Sequence, residues 1–296
     1  MMGRYDHLIG QQLAHGTWSW NTNDPQLYAL AVGAGIESAT DELQFTTDNT
    51  EGLPQQVIPS FLTLASTGER WMKPLGFRER AWDNSNGEWP DGLVHGEQGI
   101  TLARPLPTSG RATVSVVLVG VYDKVSGALV IADTLVHLAD TGELLGVARA
   151  GMFVRGQGGW GGPPQPASAA SQPPPDREPD MTVVHRTCAG QSLIYRQLGD
   201  RNPHCTDPAR ARADGFERPI FQGLGTFGFA CRALTERLCG GDVGKFRSMS
   251  ARFAKPVFPG EVLTTRIWLV DDAGRFETLA GDGRLVLDRG SFAVAE

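Results

Sequence analysis

The chain has 296 residues, 41% of them apolar, with 27 Lys and Arg against 33 Asp and Glu and a net charge of -6. This is material for two domains of ordinary size or one large one, and the acidic balance argues against nucleic acid or an anionic membrane as the main partner. A polar opening (residues 1–6), the lack of an apolar run of spanning length, four cysteines without Cys-x-x-Cys spacing (Cys188, Cys205, Cys231, Cys239) and a C-terminus without a peroxisomal SKL-type signal predict reduced thiols, no zinc site and the cytoplasm.

In chain order, residues 8–20 read as an opening strand. Asp24-Pro25 starts a helix that Gly33 and Gly35 end. The stretch 43–50 contains Asp48, whose carboxylate serves either chemistry or an Asx turn at Asp-Asn-Thr. Residues 62–92 read as neither helix nor strand. Their Trp71, Trp82 and Trp89 either line a pocket or cap the core at a domain edge. Residues 93–102, 112–122, 128–138 and 144–154 are rich in Val, Ile, Leu and Thr and broken by Gly or Asp turns, the pattern of antiparallel strands. A glycine-rich stretch, 155–162, permits close approach to a ligand or to a neighbouring strand. The Pro, Ala, Ser and Gln-rich residues 163–179 then read as a linker.

The second half repeats the plan. Residues 191–198 form a helix ended by Gly199, so Asp200 opens an exposed loop that Asn202-Pro203 stiffens and that carries His204 and Cys205. Thr206 or Asp207 caps a helix beginning at Pro208. A further helix start at 219–225 leads into the apolar helix 227–238, and its first free N–H groups suit a developing negative oxygen. Strands follow over 245–255, 261–270, 275–279 and 284–294. An acid near free amides points to thioester or carbonyl chemistry, although capping and turn formation would account for the same residues.

The run 195–203 (YRQLGDRNP), Asp207-Pro208, the run 215–220 (GFERPI) and Gly223-Leu224 resemble the hydratase 2 motif of the MaoC-like (R)-specific enoyl-CoA hydratases. YALAVGAG (28–35), FTTDN (45–49), QQVIPS (55–60), LVHGEQ (93–98), RGQGGWGG (155–162) and ARFAKPVFPG (251–260) extend the resemblance over nearly the whole chain. It implies an α+β double hot-dog, two antiparallel sheets each wrapping a central helix. The N-terminal hot-dog would span 1–155, the linker 156–180 and the C-terminal hot-dog, with the motif, 181–296.

The implied reaction is reversible hydration of a trans-2-enoyl-CoA to the (R)-3-hydroxyacyl-CoA, without metal or cofactor. The partner is an acyl-CoA or acyl-carrier thioester, and a homodimer of the whole chain is left open. Carried over residue by residue, Asp200 is the main acid/base and Asn202 holds water or substrate. Gly223 offers its N–H as the oxyanion hole, and Asp48 stands where the family has a Glu. Cys205 occupies the position of the family histidine, with His204 beside it. Gln222 replaces the histidine before Gly223 and joins Arg155, Gly158, Gly159, Arg252 and Lys255 as substrate-binding candidates. A solvated sheet edge is the other use of Arg252 and Lys255. His95 is a family position with a packing role. Two alternatives accompany this reading: a degenerate homologue that binds acyl-CoA or an enzyme subunit without turnover, and a thioesterase-like or acyl-transfer activity with Cys205 as nucleophile.

Overall fold

The computed structural model describes residues 4–65, 72, 74–76, 92–166, 172–270 and 273–295. Trp71, Trp82 and Trp89 lie outside the described residues. The first half contributes β1 (Gln12–Trp20), β2 (Leu93–Leu102), β3 (Gly110–Asp123), β4 (Gly127–Leu138) and β5 (Leu144–Arg155). The second contributes β6 (Met181–Arg186), β7 (Phe246–Phe253), β8 (Val262–Val270), β9 (Ala273–Ala280) and β10 (Leu285–Val294). Alternation drives the strands: along β3, Ala112, Val114, Val116 and Leu118 are buried while the residues between them face outward.

The order in space is β1-β3-β4-β5-β2-β7-β10-β9-β8-β6, and every pairing is antiparallel. Outward from the junction, the halves have the same order, so the fold is an internal repeat about the β2–β7 seam. The two expected sheets are hydrogen-bonded edge to edge into one ten-stranded sheet, with Glu97 opposite Arg252 and Thr101 opposite Ser248 along the seam.

Among the described residues, five α-helices accompany the sheet: α1 (Asn23–Ala31), α2 (Leu43–Thr46), α3 (Gln191–Tyr195), α4 (Pro208–Ala213) and α5 (Gly223–Cys239). Every residue from Gly225 to Thr235 is buried, as a helix enclosed by a sheet requires, and Gly240 ends α5 at a φ of 62°. Helix α1 crosses α5 where Gly228 has no Cβ; one there would collide with Val32 and the Tyr28 hydroxyl. Polar ties fix the crossing. The Gln191 Nε2 donates to the carbonyls of Leu30 (3.0 Å) and Ala31 (2.8 Å) at the end of α1. Arg232, on α5, donates to the Val32 carbonyl at 2.6 Å and pairs with Glu42 at 3.0 Å. A second apolar cluster, including Tyr5, Leu118, Val130 and Val154, fills the far end of the first half's sheet.

Two readings of the sequence need correction. The opening strand starts at Gln12, because residues 6–8 form a 3-10 turn and Gly10 takes a φ of 79°. Strand β6 was not foreseen, since Val183 is its one buried residue and its apolar signal is correspondingly weak. No helix among the described residues is long and apolar enough to cross a membrane.

Candidate active site

Helix α3 tightens into a 3-10 turn over Arg196–Leu198 and stops at Gly199, whose φ of 109° suits glycine. The loop that follows is built from side chains accepting their own backbone. The Asp200 Oδ1 accepts the Asn202 N–H at 3.1 Å, and the Asn202 Oδ1 accepts the His204 N–H at 3.4 Å. Pro203–Cys205 makes one 3-10 turn. Asp207 then caps α4 by accepting the N–H groups of Ala209 (2.7 Å) and Arg210 (3.3 Å). The helix ends after six residues at Asp214, and Gly215, with a φ of 89°, turns the chain back.

Two backbone bonds then bring the acid loop against α5. The Ile220 N–H donates to the His204 carbonyl at 3.3 Å, and the Phe221 N–H to the Val257 carbonyl at 2.7 Å. Gln222 is the N-cap residue, and its carbonyl accepts the N–H groups of Gly225 and Thr226. The N–H groups of Gly223 and Leu224, in the first turn, have no intrahelical acceptor and carry the positive end of a 17-residue helix dipole. A Cβ on residue 223 would sit 3.3 Å from the ring of Phe253, so glycine keeps this approach open. The buried Gln222 donates to the Ser192 carbonyl at 3.3 Å, while its Oε1 has no protein partner.

Burial sets the protonation states here. It pushes the Asp200 carboxyl above the ordinary value, against the opposing effects of the Asn202 N–H and His204. Burial, with the Asp200 charge second, pushes the Cys205 thiol far above its usual range. Cys205 is 3% exposed. A buried thiol that stays protonated is no nucleophile, so the geometry opposes the thioesterase-like alternative. His204 turns to Asp214, with Nδ1 3.1 Å from Oδ2, and its ring meets the edge of Phe216 at 5.5 Å. Tyr195 is fully buried between the rings of Tyr28 (6.3 Å) and Phe221 (5.9 Å).

Asp200, Asn202, His204 and Cys205 thus share one capped loop, and the Ile220–His204 bond ties that loop to the segment carrying Gln222 and Gly223. The other candidates lie elsewhere. Asp48 is exposed, just beyond α2, and among the described residues no hydrogen bond or ion pair joins it to Asp200. Arg155 is exposed at the end of β5. Gly158 packs so closely on the turn between β3 and β4 that a Cβ would collide with the backbone of Val125 and Gly127. The N–H groups of Gly159 (2.8 Å), Gly161 (2.9 Å) and Gly162 (3.4 Å) converge on the carboxylate of Asp123. The glycine stretch therefore closes on the protein's own carboxylate. Arg252, on β7, is half-buried with Glu97 and Asp288 directly opposite on the flanking strands, and Lys255 is exposed in the loop that follows. His95 lies at the seam, 4.9 Å from the ring of Phe253, and burial lowers its pKa to about 4, keeping it neutral.

Asp214 was missed by sequence reasoning. The signal available was the shortness of α4, a capped Pro-start helix stopped by Gly215, which folds position 214 back over position 204. The four cysteines are free thiols, and no cluster of three or more His, Cys, Asp or Glu able to hold a metal ion occurs among the described residues.

Comparison with known proteins gives a consistent picture. Residues 18–156 match the MFE-2 hydratase 2 N-terminal domain, and residues 168–289 match the MaoC like domain. The chain is 38% identical over 283 residues to 3-hydroxyacyl-thioester dehydratase Y of Mycobacterium tuberculosis, covering 93% of this chain and 92% of that one. It is 36% identical over 276 residues to the peroxisomal enoyl-CoA hydratase 2 of Arabidopsis thaliana, covering 89% and 86%. The crystal structure of a MaoC-like dehydratase from Phytophthora capsici superposes with a TM-score of 0.82 at 29% identity, over 98% of this chain and 96% of that one.

Proposed function

The chain belongs to the MaoC-like hydratase 2 family, and on that premise we propose that it is a hydro-lyase interconverting trans-2-enoyl-CoA and (R)-3-hydroxyacyl-CoA thioesters. The observation that carries the reading is the loop joining Asp200 to the N-terminus of α5. That loop carries a half-buried carboxyl, with its pKa raised, and the Ile220–His204 backbone bond ties it to the segment leading into the first free N–H groups of α5, which supports the reading.

In the hydration direction, Asp200 as carboxylate takes a proton from water while the water oxygen bonds to C3. The π electrons move toward the thioester oxygen, which the Gly223 N–H stabilises, and as they return Asp200 passes the proton it took from water to C2 and is again a carboxylate. Asn202 holds the loop through its bond to the His204 N–H and presents its amide to water or substrate. The four free thiols support a reducing compartment, the cytoplasm in our reading.

The test is loss of the enoyl-thioester absorbance when the protein is mixed with short, medium and bulky trans-2-enoyl-CoAs, run beside Asp200→Asn. Turnover by the native chain and none by the variant is the expected result. Cys205 in place of the family histidine favours one other reading, an acyl-CoA-binding homologue without turnover. A silent native chain that gains activity on Cys205→His would establish that second reading.

A further inference from the structure

We propose that Arg218 and Arg284, both stacked on Phe258, are positioning residues for the reaction. They hold the segment between β7 and β8 as a rigid cradle for the N-terminus of α5, where the Gly223 N–H is to meet the thioester oxygen. The proposal rests on the hydratase reading and adds three side chains which that reading does not use.

Residues 254–261, AKPVFPGE, have little main chain with which to fix themselves. Pro256 and Pro259 carry no N–H, and Gly260 takes a φ of 94°. Side chains supply the bonds instead. The Arg284 Nη1, from the turn between β9 and β10, donates to the Pro256 carbonyl at 2.6 Å, and the Arg218 Nη1 donates to the Pro259 carbonyl at 3.2 Å. Between these points the Phe258 N–H donates to the Glu261 Oε2 at 2.8 Å, and Arg284 pairs with the other Glu261 oxygen. Both guanidinium groups lie over the Phe258 ring, Arg218 at 4.7 Å and Arg284 at 5.4 Å. A planar guanidinium can stack on a ring and donate in its own plane at once, which a lysine ammonium cannot do.

The cradle reaches the start of α5 in two places. The carbonyl of the buried Val257 accepts the Phe221 N–H at 2.7 Å, one residue before the N-cap. The Phe253 ring, at the end of β7, lies 3.3 Å from where a Cβ on residue 223 would stand. Arg218 closes the frame, because it belongs to the same run of chain that Val257 holds at Phe221. An N–H stabilises a developing oxyanion when its position is fixed beforehand, and a displacement of about 1 Å can cost about 10²-fold in rate. Among the described residues no hydrogen bond or ion pair joins Arg218 or Arg284 to Asp200, so the arginines act on the donor and leave the titration of the acid alone.

The experiment is the pH profile of kcat and KM for enoyl-CoA hydration by the native chain, Arg284→Met, Arg218→Met, Phe258→Leu and Phe258→Tyr, with the folded fraction of each followed by circular dichroism. Arg284→Met should lower kcat by about 10-fold or more, with KM little changed and the acidic limb in place. Phe258→Leu should lose rate in the same way, and Phe258→Tyr, which keeps the ring, should retain it. Combining Arg284→Met with Phe258→Leu should be little slower than the slower single variant, since both act through one segment. If Arg284→Met and Phe258→Leu keep kcat within about 2-fold while the native chain turns over, the proposal falls and the hydratase reading stands. It falls too if the acidic limb moves with the rate, which would route the effect through Asp200, or if the rate drops only as far as the folded fraction does. Should Arg284→Met not fold, Arg218→Met and Phe258→Leu decide by the same criteria. A native chain without turnover overturns the hydratase reading and the proposal with it.

Discussion

The two halves share a strand order and differ in what they place inside it. In the second half, β6 leads through α3, the Asp200 loop and α4 into α5, 17 residues long and buried nearly all round. In the first, β1 leads to α1, nine residues long, and then to the four-residue α2 and a 3-10 segment over Pro59–Leu64. A sheet that wraps a helix needs only one long helix when its neighbour supplies the remaining cover. Here the short helix packs across the long one at Gly228, and polar bonds from the second half close its open end. The repeat keeps the scaffold, and the proposed reading puts the main acid/base in one copy of it.

The largest expected effect tests that confinement. Asp200→Asn should slow hydration by about 10² to 10⁴, and Asp48→Asn, at an exposed carboxylate in the other half, should cost less. Equal losses in enoyl-CoA assays would show that both halves supply chemistry. The sign of the pH dependence follows from the raised Asp200 pKa: hydration needs the carboxylate, so its acidic limb should lie above the ordinary Asp range. A limb at the ordinary value would show Asp200 to be solvated.

Next in size is the tie between the halves. Arg232→Met leaves Glu42 and the Val32 carbonyl without their cation, at a cost of about 3 kcal/mol in denaturant unfolding. A loss within about 0.5 kcal/mol would mean that the halves do not depend on this contact. Gln191→Leu removes the donor to the Leu30 and Ala31 carbonyls and should cost about 2 kcal/mol by the same measurement. The smallest effect has the opposite sign. Val125, 84% exposed at a φ of 64°, is a β-branched residue in a left-handed turn, and Val125→Gly should stabilise by about 1 kcal/mol. A destabilised variant would show that this turn gains from its side chain.

Local chemistry made much of this legible in the sequence. Gly199 as a helix stop and α5 as an apolar helix each depend on neighbouring residues and stand where reading placed them, and of the two candidate caps, Thr206 and Asp207, the structure uses Asp207. Strand β6 escaped because a half-solvated edge strand has little apolar alternation to read. The pairing of His204 with Asp214 escaped because it spans a turn, a short helix and a reversal. The capture of Asp123 by Gly159, Gly161 and Gly162 joins positions more than thirty residues apart, which no local pattern encodes. Burial of Cys205 belongs to the same class, since one residue type serves equally as a reactive thiol or as core filling, and only the surroundings decide.

The seam between β2 and β7 joins two parts of one covalent chain. Were the halves separate molecules, the wall that α1 builds against α5 would be subject to mass action and would thin out on dilution. Tethered, each half sees the other at an effective concentration on the order of millimolar whatever the amount of protein present. Turnover per molecule should therefore stay constant as the protein is diluted, and the catalytic half should never be without its cover.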